Sequence, residues 1–124
     1  MILRLTSRVV PHPRPRVGSS GARMPQRYRD WKEEAAWELK AAAMQAEGAG
    51  FDGDEPVAVT VYFDEDGATV SVTNTGARRP KGTKGDIDNL AKSVLDALQD
   101  SGLIPDDKTV HQLVAMFGEG PGRE

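Results

Sequence analysis

Val57-Ala58-Val59-Thr60-Val61-Tyr62-Phe63-Asp64-Glu65-Asp66-Gly67-Ala68-Thr69-Val70-Ser71-Val72-Thr73 is the stretch on which the fold turns. Val57, Val59, Val61 and Phe63 alternate with Ala58, Thr60 and Tyr62, the period of a strand with one buried face. Asp64-Glu65-Asp66-Gly67 supplies turn residues, and Ala68 to Thr73 reads as a second strand, so the stretch predicts a β-hairpin.

Upstream of the hairpin lies a predicted helix. Pro25 suits its first position, where a missing N–H leaves no bond unmade. Tyr28, Trp31, Ala35, Leu39 and Ala42 recur at three- and four-residue steps, which marks one buried face. At that spacing Tyr28 and Trp31 read as core residues before they read as base-stacking ones. Gly48 and Gly50 are expected to end the helix. Earlier still, residues 2–10 (Ile2, Leu3, Leu5, Val9, Val10) predict a first strand. Pro11-His12-Pro13-Arg14-Pro15-Arg16 excludes helix, because each proline fixes its own φ and drives the preceding residue to extended geometry. With the loop Gly18-Ser19-Ser20-Gly21 it forms either a basic arm for a nucleic-acid backbone or a plain surface loop, and the sequence leaves both open.

Downstream, Asn74 to Gly85 is a basic loop, and a second helix is predicted over about 87–101. Its inner side is Ile87, Leu90, Ala91, Val94, Leu95 and Leu98, and Gly102 is its stop. Pro105-Asp106-Asp107 predicts a turn, Val110 to Phe117 a last strand, and 118–124 a flexible tail. The order strand, helix, hairpin, helix, strand indicates an α+β domain over 1–117, a mixed β-sheet packed with helices.

At 124 residues and 38% apolar composition the chain has the size of one domain with one thin core, for which dimer formation is a natural remedy. No apolar run is long enough to span a bilayer, and the first residues lack the apolar stretch of a secretory signal. The absence of cysteine removes disulfides, thiolate metal sites and cysteine nucleophiles, and is compatible with a cytoplasmic protein. A net charge of −3 argues weakly against a nucleic-acid partner, but the distribution argues the other way. Residues 1–29 hold seven arginines and no acid, residues 41–75 hold seven acids and no lysine or arginine, and residues 77–84 add Arg78, Arg79, Lys81 and Lys84. Local potential, not net charge, governs phosphate binding. Charge clustering selects Arg14, Arg16, Arg27, Arg29, Arg78, Arg79, Lys81 and Lys84 as expected DNA contacts.

Asp86 and Asp88 stand at the start of the second helix, whose unpaired N–H groups favour negative charge. Lys92 lies one turn beyond Asp88 on the same face. If the chain returns so that Asp106-Asp107 joins them, the clustered carboxylates require a cation. Oxygen donors without histidine or cysteine select magnesium, with manganese as a substitute, over zinc. Beside a phosphodiester such an ion activates water and neutralises charge. Taken alone, the Asp-x-Asp pair is a weak motif better explained by a helix cap, with Lys92 as a helix-face residue and the Asp-Asp pair as a turn. His12 and His111 read as loop and strand-surface residues.

Gly85-Asp86-Ile87-Asp88-Asn89-Leu90-Ala91-Lys92-Ser93-Val94-Leu95-Asp96-Ala97-Leu98, followed by Gly102-Leu103-Ile104-Pro105-Asp106-Asp107-Lys108-Thr109-Val110, closely resembles the signature of the RusA family of Holliday junction resolvases. The family pattern D-[LI]-D-N-L-x-K-x-x-x-D-A-L, then G-[hydrophobic]-x-x-D-D-x-x-V, fits without a gap. Residues 13–17 and 24–31 also resemble the N-terminal half of phage-type members. The resemblance implies a homodimeric, magnesium-dependent endodeoxyribonuclease of DNA recombination and repair that cuts four-way junctions by paired symmetric nicks. It implies Asp86, Asp88 and Asp107 as catalytic metal ligands, Lys92 as the catalytic lysine, and Asp106 as an auxiliary acid. Asn89 and Asp96 belong to the motif and read as structural. Two departures point to an alternative, a branched-DNA binding protein of the same fold with weak or lost cleavage. Leu113-Val114-Ala115-Met116-Phe117 lacks the lysine many relatives carry, and the chain stops at Glu124 where relatives often continue.

Overall fold

In a computed structural model of the chain, which describes residues 1–13, 24–46, 51 and 53–122, the hairpin forms as predicted. Strand β2 (Val57–Phe63) pairs antiparallel with β3 (Ala68–Asn74), Val61 opposite Val70 and Phe63 opposite Ala68. Asp64 closes the turn: its Oδ1 accepts the Asp66 and Gly67 N–H groups, each at 2.9 Å, while its own N–H donates to the Gly67 carbonyl at 3.0 Å. A short polar side chain that satisfies the backbone of its own turn is the reason aspartate favours such places. Strand β1 (Ile2–Leu5) lies along the other edge of β3, also antiparallel, with Leu5 opposite Ala68. The sheet order is β1-β3-β2.

Arg4 of β1 reaches across to the turn and grips Asp64 with both Nη atoms, Nη2 at 2.9 Å from Oδ1. This pairing first, and then the Asp66 N–H, holds the Asp64 carboxyl well below its ordinary value. Gly67 is buried where the turn passes β1, and a Cβ there would lie 2.0 Å from the Leu5 carbonyl oxygen. Only a residue without a side chain fits that approach.

The predicted helix forms as α1 (Gln26–Gln45). Pro25 caps it from one position earlier than expected, its carbonyl accepting the Arg29 N–H at 3.1 Å. Of the predicted face, Ala35 is buried with Leu5 and Ala68, and Trp31 and Leu39 pack against that cluster. Tyr28 is half-buried, its ring edge-on to His12 at 5.2 Å. Gly48 and Gly50, the expected end, lie outside the described residues, and the last helical residue is Gln45.

Four expectations are corrected. The first strand stops at Leu5 rather than Val10, because the next residue turns its hydrogen bonds to α1: the Thr6 N–H and hydroxyl both donate to the Glu38 carboxylate. The described sheet is wholly antiparallel rather than mixed. Strand β2 does not bury a face within its unit. α1 packs on β1, at the opposite edge of the sheet, and Val59 and Phe63 remain 57% and 69% exposed. Residues 110–117 form no strand, since a strand needs a neighbour for its N–H and C=O groups and, among the described residues, none pairs with them. Leu113, Val114 and Met116 are exposed there.

The chain divides into two compact units, Met1–Thr75 and Gly76–Glu124. Among the described residues, every buried side chain (Leu3, Leu5, Ala35, Ala68) belongs to the first. The second is organised on helix α2 (Ile87–Asp100), ended by Gly102 at φ +82°, where glycine avoids the Cβ penalty of left-handed backbone. Its apolar stripe is only half covered: Leu90, Leu95 and Leu98 are partly buried, Ile87 and Val94 exposed. Among the described residues no helix is long and apolar enough to cross a membrane.

Candidate active site

The site grows from the start of α2. Gly85, at φ +101°, turns the basic loop into the helix, and Asp86 occupies the N-cap in extended geometry. The Asp86 carbonyl accepts the Leu90 N–H at 3.0 Å, but its carboxylate makes no capping bond. It is therefore available to something else. Asp88 lies in the first turn and Lys92 one turn further, and all three side chains are exposed. Two acids beside free helical N–H groups and a lysine on the same helix suit a phosphate held through a cation.

The preceding loop lays out the cations. A turn at 80–83, closed by the Thr83 N–H on the Pro80 carbonyl at 3.1 Å, leaves Lys81 and Lys84 exposed. Arg78 donates to the Ala77 carbonyl at 3.1 Å. Arg79 is engaged differently: Nη1 donates to the Gly85 carbonyl, and the guanidinium lies 4.6 Å from the centre of the Phe117 ring. Of the other expected DNA contacts, Arg27 and Arg29 are exposed on the first turn of α1, and Arg14 and Arg16 lie outside the described residues.

Asp106 and Asp107 enter at the other end of the helix. Asp106 caps a short 3-10 turn (Asp107–Thr109), its Oδ1 accepting the Lys108 N–H at 2.9 Å. That bond, and next a hydrogen bond shared with the Asp107 side chain, holds the Asp106 carboxyl below its ordinary range. The auxiliary acid thus acts as a cap. Asp107 donates its N–H to Gln99 Oε1 at 3.3 Å. Gln99 stands eleven residues past Asp88, about 16 Å along an α-helix axis. Accordingly, among the described residues, no group of three or more His, Asp or Glu side chains is gathered to hold a metal ion. The oxygen donor set suits a hard divalent cation in kind, and Asp86 and Asp88 are the two donors the fold sets side by side in sequence on one helix start.

Sequence reasoning missed Phe117 and Gln99 as partners of site residues. No local signal announces either, because each contact depends on the path of the chain after the helix. A shallow depression on α1 lined by Asp30, Glu33, Glu34 and Trp37 contains none of the expected site residues, and chemistry is better sought at the α2 start.

Comparison with protein families gives one finding: the model of the family described as endodeoxyribonuclease RusA matches residues 7–123. No curated protein and no solved structure matches the chain significantly.

Proposed function

The chain belongs to the RusA family of endodeoxyribonucleases, hydrolases that act on DNA, and from that premise we propose that it is a magnesium-dependent homodimeric resolvase of four-way junctions. The observation that carries the reading is the family match across residues 7–123, which includes Asp86, Asp88, Lys92 and Asp107. The placement of Asp86, Asp88 and Lys92 on one exposed helix start, at the end of a cationic loop, supports it.

In this reading Asp86 and Asp88 would hold magnesium, or manganese in its place, and Asp107 would complete the set only on leaving its dock at Gln99. When bound, the ion supplies a lowered water pKa and neutralises charge on the scissile phosphate. Lys92 holds a non-bridging oxygen of that phosphate. Arg78, Lys81 and Lys84 bind backbone phosphates on either side and set the register of the strand. Water adds to phosphorus as one P–O ester bond breaks, and the proton passes to the departing oxygen. Two such sites related by a twofold axis cut two equivalent strands, giving paired symmetric nicks, and the half-covered stripe of α2 is apolar surface that association can bury. The setting is cytoplasmic, in DNA recombination and repair.

A second reading has an observation of its own. Asp107 is docked at Gln99 rather than gathered with Asp86 and Asp88, which favours a branched-DNA binding protein with weak or lost cleavage. One experiment separates the two: nicking of a synthetic four-way junction and of linear duplex of the same sequence, with magnesium and with a chelator. The resolvase reading expects magnesium-dependent symmetric nicks in the junction alone. Junction binding without nicks establishes the second reading.

A further inference from the structure

We propose that Arg79 is a positioning residue that holds the acidic start of α2 in place, and not one of the phosphate contacts its loop otherwise supplies; this rests on the nuclease reading of the same site. Arg79 sits in a run of exposed cations, and from charge alone it is indistinguishable from Lys81 and Lys84. Its surroundings set it apart. Nη1 donates to the carbonyl of Gly85, the residue immediately before Asp86, and the Phe117 ring lies 4.6 Å from the guanidinium carbon. The side chain therefore ties three points of the second unit together: the basic loop, the peptide that leads into the helix, and the segment that follows the 3-10 turn.

That peptide needs holding. Gly85 has φ +101°, a region glycine enters freely but does not prefer strongly over its alternatives. Rotation about the Gly85–Asp86 peptide swings the Asp86 carboxylate, and the Asp86 side chain forms no capping bond of its own to resist it. A charge-assisted N–H bond on the Gly85 carbonyl resists rotation of that peptide. An aromatic ring against the guanidinium fixes the donor in turn, by attraction between the cation and the ring face. Lysine cannot reproduce this, since its ammonium is a point charge with no plane to stack.

The two roles predict different losses. A phosphate contact costs affinity and lowers the slope of log K against log salt by about 0.9 when removed. A positioning residue costs rate at saturating protein while affinity and slope stay put. The test compares Arg79→Ala, Arg79→Lys and Phe117→Leu with Lys81→Ala in single-turnover junction cleavage, salt-dependent junction binding without magnesium, and amide hydrogen exchange of the free protein. Expected for Arg79→Ala is a fall in saturated rate of about tenfold or more, with the junction Kd and salt slope at their wild-type values. Arg79→Lys stays slow despite its retained charge, and Phe117→Leu moves in the same direction. The Leu90 amide, bonded to the Asp86 carbonyl, exchanges faster in Arg79→Ala while amides near the C-terminal end of α2 do not. The double variant Arg79→Ala/Phe117→Leu is no slower than Arg79→Ala alone, as for two members of one contact.

Full rescue by lysine, or a loss confined to affinity and salt slope as in Lys81→Ala, overturns the proposal. Unchanged Leu90 exchange in Arg79→Ala overturns it as well. Should the wild-type protein fail to cut junctions, the nuclease reading falls, while the exchange measurement still decides whether Arg79 holds the helix start. Should Arg79→Ala not fold, Arg79→Lys and Phe117→Leu decide by the same readouts.

Discussion

Residues 1–75 and residues 76–124 divide the labour of this molecule unevenly. In the first unit three antiparallel strands and one helix enclose Leu3, Leu5, Ala35 and Ala68, and an arginine from one strand clamps the hairpin turn of the other two. In the second a single amphipathic helix carries Asp86 and Asp88 at its start and Lys92, the loop before it supplies the cations, and no residue among those described is buried. Burial stabilises, and exposed charge is what a phosphate backbone meets. The contrast teaches that the acids and lysine proposed for the chemistry stand on exposed backbone rather than over a core, so replacing them is expected to cost little stability.

The comparison breaks most visibly at the acids. Asp88→Asn is expected to lower magnesium-dependent junction cleavage by at least about a hundredfold, with an unchanged melting temperature and junction binding retained or strengthened. Asp107→Asn tests the same role from the other end of the helix. Wild-type cutting rates in both variants, measured in single turnover, remove these residues from the site.

Next in size is the opposite substitution. Leu5→Ala leaves a cavity beside Ala35 and Ala68 and should cost about 2–5 kcal/mol in urea unfolding, while enzyme that remains folded cuts at its normal saturated rate. A selective loss of rate with full stability would contradict the division between the units. Gly67→Ala forces a methyl into the Leu5 carbonyl, and overpacking of that kind costs about 1–3 kcal/mol or more. A neutral result in the same unfolding measurement removes the close approach of turn and strand.

Smaller effects sharpen the picture. Lys81→Ala should reduce the salt slope of junction binding by about 0.9 with no change in unfolding. Asp64→Asn, in the stabilising unit, should lower the melting temperature slightly at neutral pH. Because the folded Asp64 carboxyl lies below its ordinary 3.8, the unfolded chain takes up the proton first as pH falls. The stabilisation is therefore complete above about 3.8 and lost below it. The gap between wild type and Asp64→Asn, followed by thermal melting, should stay level above that pH and close beneath it. A gap that widens on acidification reverses the assignment.

Much of this was legible from local pattern. Alternation from Val57 to Phe63 and the Asp64–Gly67 turn announced the hairpin, and apolar residues at three- and four-residue steps announced both helices, with Gly102 as a true stop. The resemblance read from Asp86 to Val110 agrees with the family match. The failures share a cause. Leu113 to Phe117 has the composition of a strand but, among the described residues of its unit, no strand to pair with, and Val59 and Phe63 have the period of a buried face but no described helix of their own unit over them. Periodicity states what a segment is able to bury; it does not supply the neighbour.

By itself, then, the sequence determined the first strand, the hairpin and both helices in their order, though not the absence of a last strand, together with the acids and lysine at the start of α2 and the family. Tertiary structure alone decided that Asp107 meets Gln99, that Arg79 meets Gly85 and Phe117, and that Arg4 meets Asp64. The physical reason is range. Helix turns and hairpins are set by residues a few positions apart, whereas Arg4 with Asp64 or Arg79 with Phe117 depends on where a long stretch of intervening chain delivers each side chain, and no local period encodes that path.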